Sequence, residues 1–300
     1  MILPGHNNPP LTTKEIIEKN INRKKPILDR DPQFHNGVPL PSWIELSLID
    51  VCNRTCSFCP KSDLNIAPDT YNKMEMPLIN KLAKDLQKIN FEGYFSFCGY
   101  GEPLLHPNIN KIIEILGKNW GIEIVTNGDP LNEENLVALY KSNLSTLVVS
   151  LYDGPKQKSK FLNMRDKLNI PEDFFVLRDR WEKGNEFDKY LTNRAGTLAG
   201  NHQNDPKNFN NKPCYYTAYH SQIDWNGDFY LCPHDWQRRM SLGNLMQKDF
   251  FEIWNSSLLN KYRKKLLAGD RKKNPCISCN CIGIIHGSKH ASEWKKIISK

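Results

Sequence analysis

Three closely spaced cysteines dominate the chemistry that this sequence could perform. Cys52, Cys56 and Cys59 form a C-x₃-C-x₂-C loop just after an alternating segment typical of a β-strand. Three thiolates can hold three irons of a cubane cluster and leave the fourth iron open to another ligand. A structural zinc site needs a fourth ligand and usually contains C-x₂-C pairs. The spacing therefore favours an iron–sulfur cluster with one open coordination position.

A second group of cysteines lies in the last third of the chain. Cys214 and Cys232 flank a predicted β-hairpin, and a later run contains Cys276, Cys279 and Cys281. If the fold brings the later run beside the hairpin, four thiolates can close either a tetrahedral zinc site or a cubane site. Cys98, which stands apart from both groups, is expected to be a small buried residue.

Composition indicates a globular protein. The chain has 300 residues, of which 39% are hydrophobic and 25% charged. No apolar run approaches the roughly 18 residues that a membrane span needs. The N-terminal residues show no signal-peptide pattern, so we expect a cytoplasmic location. Because that compartment is reducing, metal binding is a better explanation of the nine cysteines than disulfides.

Positive charge is concentrated near the C-terminus. Residues 260–300 carry eleven Lys or Arg against two acids, a net charge of +9, whereas the whole chain has +8. One interpretation is a solvated helical face with a floppy tail that carries His286 and His290. The other is a docking surface for an acidic or phosphate-bearing partner.

Strands alternate with helices through the middle of the sequence. The period-2 segments that predict strands are Trp43–Leu48, Tyr94–Cys98, Ile122–Thr126, Leu147–Leu151 and Phe174–Leu177. Helical spacing predicts helices over Lys14–Asn22, Leu78–Asn90, Asn108–Lys118, Leu131–Lys141 and Lys156–Leu168. This alternation implies right-handed βαβ units around a parallel sheet.

The predicted fold class is α/β, a partial, open β/α barrel of about five to six parallel strands, too few for a closed barrel. A hairpin over Tyr219–Trp225 and Phe229–Cys232 and a helix over Asp249–Leu267 follow. We expect an N-terminal extension (1–42), a barrel (43–200) and a small C-terminal domain (201–300). The motifs lie at strand carboxyl ends, where such sheets carry their chemistry.

The cysteine loop and the segments in register with it resemble the radical S-adenosylmethionine (radical SAM) superfamily. Phe58 precedes the third cysteine, Cys98 to Pro107 resembles the family's glycine-rich segment, and Thr126-Asn127-Gly128 ends the third strand. The resemblance implies that Phe58 helps to seat the adenine, and that the segment with Gly101 and Glu102 contacts the methionine amino group of S-adenosylmethionine. Asn127 falls in a further matching segment. Ser150 is a candidate ribose or carboxylate contact, and Arg178 a candidate carboxylate partner.

The family's mechanism would then apply. A [4Fe–4S] cluster on Cys52, Cys56 and Cys59 reduces the bound sulfonium, and the resulting 5′-deoxyadenosyl radical abstracts a hydrogen atom from a substrate. The cofactor carries this chemistry, and the protein positions the reactants and excludes water. A reductase such as flavodoxin or ferredoxin would supply the electron.

The C-terminal cysteines resemble the twitch domain, a shortened SPASM domain of radical SAM enzymes. The order C-x₁₂-G-x₄-C followed by C-x₂-C matches, as do Gly243-Asn244-Leu245 and Phe251-Glu252-Ile253-Trp254. The resemblance implies one auxiliary [4Fe–4S] cluster. Its expected ligands are Cys214, Cys232, Cys276 and Cys279, with Cys281 as a substitute for Cys279 and structural zinc as the alternative. Asn193-Arg194-Ala195-Gly196 resembles an Asn-Arg-Gly-Gly motif of related enzymes.

Three functions remain open at this point. The first is hydrogen abstraction from, and oxidation of, a small polar metabolite such as a sugar or nucleotide-linked sugar, with phosphorylation suggested by the basic C-terminal segment. The second is maturation of a ribosomal peptide. The third is a non-catalytic Fe–S or zinc protein that binds RNA. The candidate substrate-facing residues are Glu45, Tyr152 and Asp235, and the general base is not identified.

Overall fold

One eight-stranded sheet organises the protein, as seen in a computed structural model that describes residues 13–181, 192–198 and 206–298. Its strands are β3 (Trp43–Leu46), β4 (Tyr94–Phe97), β5 (Gly121–Thr126), β6 (Thr146–Leu151), β7 (Phe175–Asp179), β8 (His220–Ile223), β9 (Asp228–Tyr230) and β10 (Ser241–Asn244). A two-stranded hairpin of β1 (Phe34–His35) and β2 (Val38–Pro39) precedes them.

Six strands run parallel in the order β8-β3-β4-β5-β6-β7, and β9 and β10 continue the sheet antiparallel beyond β8. The two ends of this order, β7 and β10, do not pair with each other, so the barrel is open. The predicted fold class is confirmed. The predicted hairpin forms as β8 and β9, and its first strand is also the sixth parallel strand of the barrel.

Helices cover the outer face of the sheet and fill the C-terminal part. They are α1 (Thr13–Leu28), α2 (Met76–Lys88), α3 (Ile109–Gly117), α4 (Glu133–Tyr140), α5 (Pro155–Lys167), α6 (Tyr216–Tyr219), α7 (Phe250–Trp254), α8 (Ser257–Leu267) and α9 (Ser288–Ile298). The single helix predicted over Asp249–Leu267 is divided, because Ser256 caps α8 by accepting a hydrogen bond from the Leu259 amide. Within the described residues, no helix has the length and apolar character of a membrane span.

The two faces of the parallel sheet differ in polarity. Ile44 and Leu46 of β3 are fully buried in the hydrophobic core with the outer helices, whereas Glu45 between them points to the other face. The strand registers place further polar residues on that inner face: Ser96, Glu123, Ser150, Arg178, His220 and Gln222. A buried polar face of this kind must be satisfied by charged partners or by a ligand.

Helix α1 supplies some of those partners. The Glu123 carboxylate, 1% exposed, is 2.5 Å from Arg23 Nη1 and 3.0 Å from Lys24 Nζ. Burial acts to raise the pKa of Glu123, but Lys24 and Arg23 outweigh it and hold the pKa below its ordinary value. Lys24 also lies over the Trp43 ring, 4.6 Å from the centroid. The N-terminal extension therefore closes part of the open barrel.

Replacing Glu123 with Gln should loosen α1 from the barrel. The variant leaves Arg23 and Lys24 without their buried counter-charge, and breaking a buried ion pair costs about 3–5 kcal/mol. We expect limited proteolysis within residues 13–28 to become at least about tenfold faster. Glu133→Gln, which removes a half-exposed carboxylate paired with Lys167, is the matched control. Equal cleavage rates in both variants would contradict a closing role for α1.

The C-terminal segment is packed, which corrects the expectation of a floppy solvated tail. His290 and Trp294 of α9 are buried, at 1% and 0% exposure, and His286 Nδ1 donates a 3.1 Å hydrogen bond to the Asp29 carboxylate. The Arg263 guanidinium lies against the faces of both Trp254 and Trp294, with ring centroids 4.1 and 3.8 Å from Cζ. Most lysines of this segment are exposed, but Leu259, Leu266, Leu267, Ala291 and Trp294 belong to the core.

Candidate active site

The cysteine loop lies at the carboxyl end of β3, as predicted. Cys52, Cys56 and Cys59 all line one cavity of about 450 Å³. Burial, together with the neighbouring thiols Cys59 and Cys52, raises the pKa of Cys56 to about 11. Half-buried thiols that disfavour ionisation in this way match a site in which iron supplies the positive charge. The donor set therefore fits a cluster with three protein ligands.

Three ion pairs hold this loop in place. The Arg54 guanidinium, between two of the cysteines, donates to Asp129 after β5 and to Asp153 after β6, with contacts of 2.6 Å to each carboxylate. On the other side, the buried Lys61 ammonium pairs with Asp69 and donates to the Asp50 carbonyl at 2.6 Å, both within the same connection between β3 and α2. Because Arg54 ties the loop to the ends of two strands and Lys61 braces it internally, the thiols keep one arrangement.

The glycine-rich segment follows β4 and meets the cysteine loop backbone. A Cβ at Gly101 would lie 2.2 Å from the Ile49 carbonyl oxygen, so only glycine permits this approach. The next residue, Glu102, is 3% exposed. Its carboxylate accepts hydrogen bonds from Thr126 Oγ1 at 2.6 Å, and from the Asn127 and Leu104 amides at 2.8 and 3.0 Å.

Burial raises the pKa of Glu102 to about 7, although the three donors act in the opposite direction. A buried carboxylate of this kind favours a cationic ligand, because an ammonium group would stabilise its ionised form. Asn127 also donates to Asn53 of the cysteine loop at 2.7 Å. The segments after β3, β4 and β5 thus form one connected wall.

The remaining predicted cofactor contacts line the same cavity. Ser150 ends β6, and its hydroxyl accepts a 2.8 Å hydrogen bond from Arg178 Nη2 of β7. The Arg178 Nε is buried without a hydrogen-bond partner in the described residues, and the first cause of its lowered pKa is burial. Phe58 packs against the Tyr152 ring with centroids 5.6 Å apart. All six predicted cofactor-binding residues are therefore brought together: Phe58, Gly101, Glu102, Asn127, Ser150 and Arg178.

Sequence reasoning missed several residues of this cavity. They come from α1, the segment after β7, residues 192–198, β8 and the C-terminal part, and include Lys24, Arg180, Arg194, Tyr216, His220 and His234. Of the three predicted substrate-facing residues, Glu45 and Tyr152 line the cavity. Asp235 does not, because its carboxylate is fully buried on Arg239 and the Met240 amide. Among the described residues of 260–298, no Lys or Arg lines the cavity, so the basic segment does not support a phosphorylated substrate.

The second cysteine group also converges. Cys214, Cys232, Cys276, Cys279 and Cys281 line one smaller cavity. After burial, the largest contributions to the raised pKa of Cys232 come from Cys276 and Cys279. Within the described residues, no group of three or more His, Cys, Asp or Glu is arranged to hold a single metal ion. Thiols spread around a cavity suit a cubane better than zinc.

The fifth thiol, Cys281, follows Cys279 by two residues and lines the same cavity. The Cys281 amide points at the Cys279 sulfur, 3.4 Å away. An amide donor of this kind stabilises a sulfur that carries negative charge. This geometry favours Cys279 over Cys281 as a ligand.

The Asn-Arg-Ala-Gly motif connects the two cavities. The Asn193 side-chain Nδ2 donates to the Ser278 carbonyl at 2.7 Å, and the Asn193 backbone N–H donates to Asn280 Oδ1 at 2.7 Å. Arg194 lines the larger cavity, and Ala195 lines the smaller cavity of the C-terminal cysteines, here called the thiol cavity. Ala195 has φ of 54°, a conformation that glycine adopts without strain, which accounts for the glycine of the motif that it resembles.

Two families match this chain. The radical SAM superfamily matches residues 46–188, and SPASM, an iron–sulfur cluster-binding domain, matches residues 214–280. A similar protein is the S-adenosyl-L-methionine-dependent 2-deoxy-scyllo-inosamine dehydrogenase of Niallia circulans. It is 29% identical over 249 residues, which cover 81% of this chain and 94% of that protein. GTP 3′,8-cyclase of Chlorobaculum tepidum is 29% identical over 133 residues, 42% of this chain and 37% of its own.

Solved structures agree on the fold. A crystal structure of BtrN in complex with AdoMet and 2-DOIA superposes with a TM-score of 0.70 at 26% identity, covering 84% of this chain and 98% of that one. Streptococcus suis SuiB bound to precursor peptide SuiA superposes with a TM-score of 0.57 at 14% identity, covering 95% and 79%, and shows the fold alone. The chain belongs to the radical SAM superfamily, as an oxidoreductase-type enzyme that uses S-adenosylmethionine, a [4Fe–4S] cluster and a SPASM-type iron–sulfur domain.

Proposed function

We propose that this enzyme is a dehydrogenase that oxidises a hydroxyl-bearing carbon of a cyclitol or sugar to a carbonyl group. One observation carries the proposal: Tyr216 and His234 line both the larger cavity, which holds Cys52, Cys56 and Cys59, and the smaller cavity lined by the C-terminal cysteines. A substrate in the larger cavity is therefore separated from the C-terminal thiols by a single layer of side chains. A one-electron acceptor at that distance suits the second step of an alcohol oxidation.

The larger cavity also has the right chemistry for a hydroxylated substrate. Its lining combines carboxylates, guanidinium groups, imidazoles and phenols, which are donors and acceptors for hydroxyl groups. The similarity to a dehydrogenase of 2-deoxy-scyllo-inosamine over 94% of that protein points to the same class of polyol. A cavity of about 450 Å³ is of the size of small-molecule sites.

The residues of this chain have distinct tasks in the proposed reaction. Cys52, Cys56 and Cys59 would hold the cluster that binds S-adenosylmethionine, and Cys214, Cys232, Cys276 and Cys279 would hold an auxiliary [4Fe–4S] cluster. When bound, these cofactors supply a carbon-centred radical that abstracts hydrogen and an acceptor for one electron. Glu102 would pair with the methionine ammonium and Arg178 with its carboxylate. Phe58 would pack on the adenine, Gly101 would admit the ligand to the backbone, and Asn127 and Ser150 would donate to it.

We also propose the division into an extension (1–42), a radical SAM barrel (43–200) and a twitch-like domain (201–300). The family matches over 46–188 and 214–280 support it. An acidic electron carrier such as flavodoxin or ferredoxin is the proposed reductase, in a cytoplasmic setting.

The test is the stoichiometry of an anaerobic turnover. The reconstituted enzyme should be assayed with cyclitols, aminocyclitols, sugars and their phosphates, and with substrates deuterated at the reacting carbon. We expect one 5′-deoxyadenosine per carbonyl product, with deuterium transferred to 5′-deoxyadenosine. Cys232→Ala should keep 5′-deoxyadenosine formation and lose the carbonyl product, whereas Cys281→Ala should retain both. Turnover of a substrate without a change in its oxidation state would contradict the proposal.

The affinity for S-adenosylmethionine should depend on pH through Glu102. Its pKa of about 7 means that a proton competes with the methionine ammonium for the carboxylate below that pH. We expect the dissociation constant to rise by up to about tenfold per pH unit below 7, in calorimetry between pH 5.5 and 7.5, where the α-amino group stays protonated. Glu102→Gln should bind roughly 10–100-fold more weakly at pH 7.5, since charge-assisted hydrogen bonds are stronger than neutral ones, and without this pH dependence. An unchanged dependence in Glu102→Gln would exclude the assignment.

A further inference from the structure

The inner face of the barrel carries a carboxylate–imidazole pair that the cofactors do not use. We propose that Glu45 accepts the hydroxyl proton of the substrate during its oxidation, and that His220 positions Glu45 by donating a hydrogen bond to its carboxylate. This inference rests on the proposed dehydrogenase function and adds the base that the reaction needs.

The strand register brings the two residues together. Trp43 of β3 pairs with His220 of β8, so Glu45, two residues further along β3, points to the same inner face. His220 Nε2 lies 3.4 Å from Glu45 Oε2. Both residues line the larger cavity, and 13% of the Glu45 side chain is exposed there. The carboxylate can therefore reach a ligand while the imidazole holds it from behind.

The imidazole has no other fixed task. His220 is 5% exposed, and its Nδ1 has no hydrogen-bond partner in the described part of the chain. Tyr216 and Tyr219 pack against the ring, with centroids 5.6 and 6.2 Å away. A buried imidazole with one nitrogen on a carboxylate holds that carboxylate in one orientation.

Other groups of the cavity are poorer acceptors. Glu102 is the second carboxylate that lines it among the described residues, and three donors already bind it. Burial raises the pKa of Tyr216 and Tyr219 well above the ordinary value, which keeps both phenols protonated. Arg178, Arg180 and Arg194 are cationic. Of the two carboxylates that line the cavity, Glu45 is thus the better acceptor.

The charge state of Glu45 supports this role. Burial acts to raise its pKa, but the hydrogen bond and charge of His220, together with Lys24, lower the pKa below the ordinary value. The Cys98 thiol also bonds to Glu45 and acts in the same direction. Glu45 is therefore ionised at neutral pH and free to accept a proton. A hydroxyl on a carbon-centred radical is far more acidic than the same hydroxyl on the parent alcohol, so a carboxylate is a sufficient base.

The atoms and electrons balance as follows for a secondary alcohol. The C–H bond breaks, and its hydrogen atom is taken up in forming 5′-deoxyadenosine from one S-adenosylmethionine. The O–H bond breaks, and its proton passes to the Glu45 carboxylate. The remaining unpaired electron leaves to the auxiliary iron–sulfur cluster as the C=O double bond forms. Deprotonation comes before electron loss because a ketyl anion is a stronger reductant than the neutral hydroxyalkyl radical.

Isosteric substitution separates hydrogen abstraction from oxidation. Glu45→Gln should form 5′-deoxyadenosine, with deuterium transfer from the substrate, at a rate within about threefold of the wild type. The ratio of carbonyl product to 5′-deoxyadenosine should fall at least tenfold, since general-base catalysis contributes about 10²–10⁴-fold. Glu45→Asp should restore part of the ratio, and His220→Gln should lower it to an intermediate value. Freeze-quenched Glu45→Gln should show an organic radical by EPR, which a merely structural role would not produce.

Ser96→Ala is the matched control, because Ser96 is paired with Glu45 across the β3–β4 register and lies on the same inner face of the sheet. It should keep the wild-type ratio, and iron content and thermal stability should confirm that all variants fold. An unchanged ratio in Glu45→Gln, with a wild type that makes one carbonyl per 5′-deoxyadenosine, overturns this inference alone. A wild type that makes no carbonyl product from any hydroxylated substrate overturns the proposed function and this inference with it.

Discussion

Replacing Cys52, Cys56 and Cys59 together with alanine is expected to abolish S-adenosylmethionine cleavage while leaving about four irons per chain. The cleavage requires an iron that only this loop leaves open. The C-terminal thiols are held by a separate set of contacts, among them the four backbone carbonyls that bind the buried Arg271 guanidinium. The measurement is iron and sulfide content with EPR of the reduced protein, alongside 5′-deoxyadenosine formation.

Cys98→Ala is the control for this variant, because Cys98 lines the same cavity but lies outside the proposed ligand set. It should retain about eight irons and the cleavage activity. A triple variant with no iron and one zinc would show that the C-terminal site is structural, and the proposed electron acceptor would then be lost. A triple variant that still cleaves S-adenosylmethionine would refute the cluster assignment.

Arg263→Ala is expected to destabilise the protein strongly, to about the same extent as Glu123→Gln. The variant removes a fully buried guanidinium that contacts the rings of Trp254 and Trp294, together with its 2.7 Å hydrogen bond to the Thr217 carbonyl. A cavity and two lost cation–π contacts amount to about 3–5 kcal/mol. The apparent melting temperature should fall by roughly 5–10 °C.

Lys264→Ala is the neighbouring control, since Lys264 is exposed on the same helix. Its melting temperature should change by less than about 1 °C. Limited proteolysis should also detach α9 in Arg263→Ala, because Trp294 loses its partner. If Arg263→Ala has the same melting temperature as the wild type, the contacts of Arg263 with Trp254 and Trp294 do not hold α9 to the core.

The sequence allowed the parts of the site that depend on local spacing to be predicted. Three cysteines within eight residues need no tertiary information to form a cluster loop, and the order of strands places Glu102, Asn127 and Ser150 at one edge of a parallel sheet. The predicted strands and most helices formed because their apolar periodicity matches the faces that the core buries.

Features that depend on distant pairing could not be predicted in this way. Glu45 and His220 are 175 residues apart, and Arg23 and Glu123 are 100 apart. The lysines of α9 concealed its buried face, on which Trp294 and His290 lie, because they dominate its composition. Strand β10 escaped notice because four residues with a glycine at φ of 145° give no alternating pattern.

The pairing of β8 with β3 has a consequence for how the enzyme can evolve. β3 leads directly into the loop of Cys52, and β8 lies between Cys214 and Cys232, so neighbouring strands of one sheet carry both proposed metal centres. The two strands are hydrogen-bonded directly to each other. The distance between the two proposed clusters is therefore set by the sheet. Side chains that line the cavity between the two proposed clusters can therefore be exchanged to accommodate new substrates. The distance over which the electron tunnels between the clusters would stay unchanged.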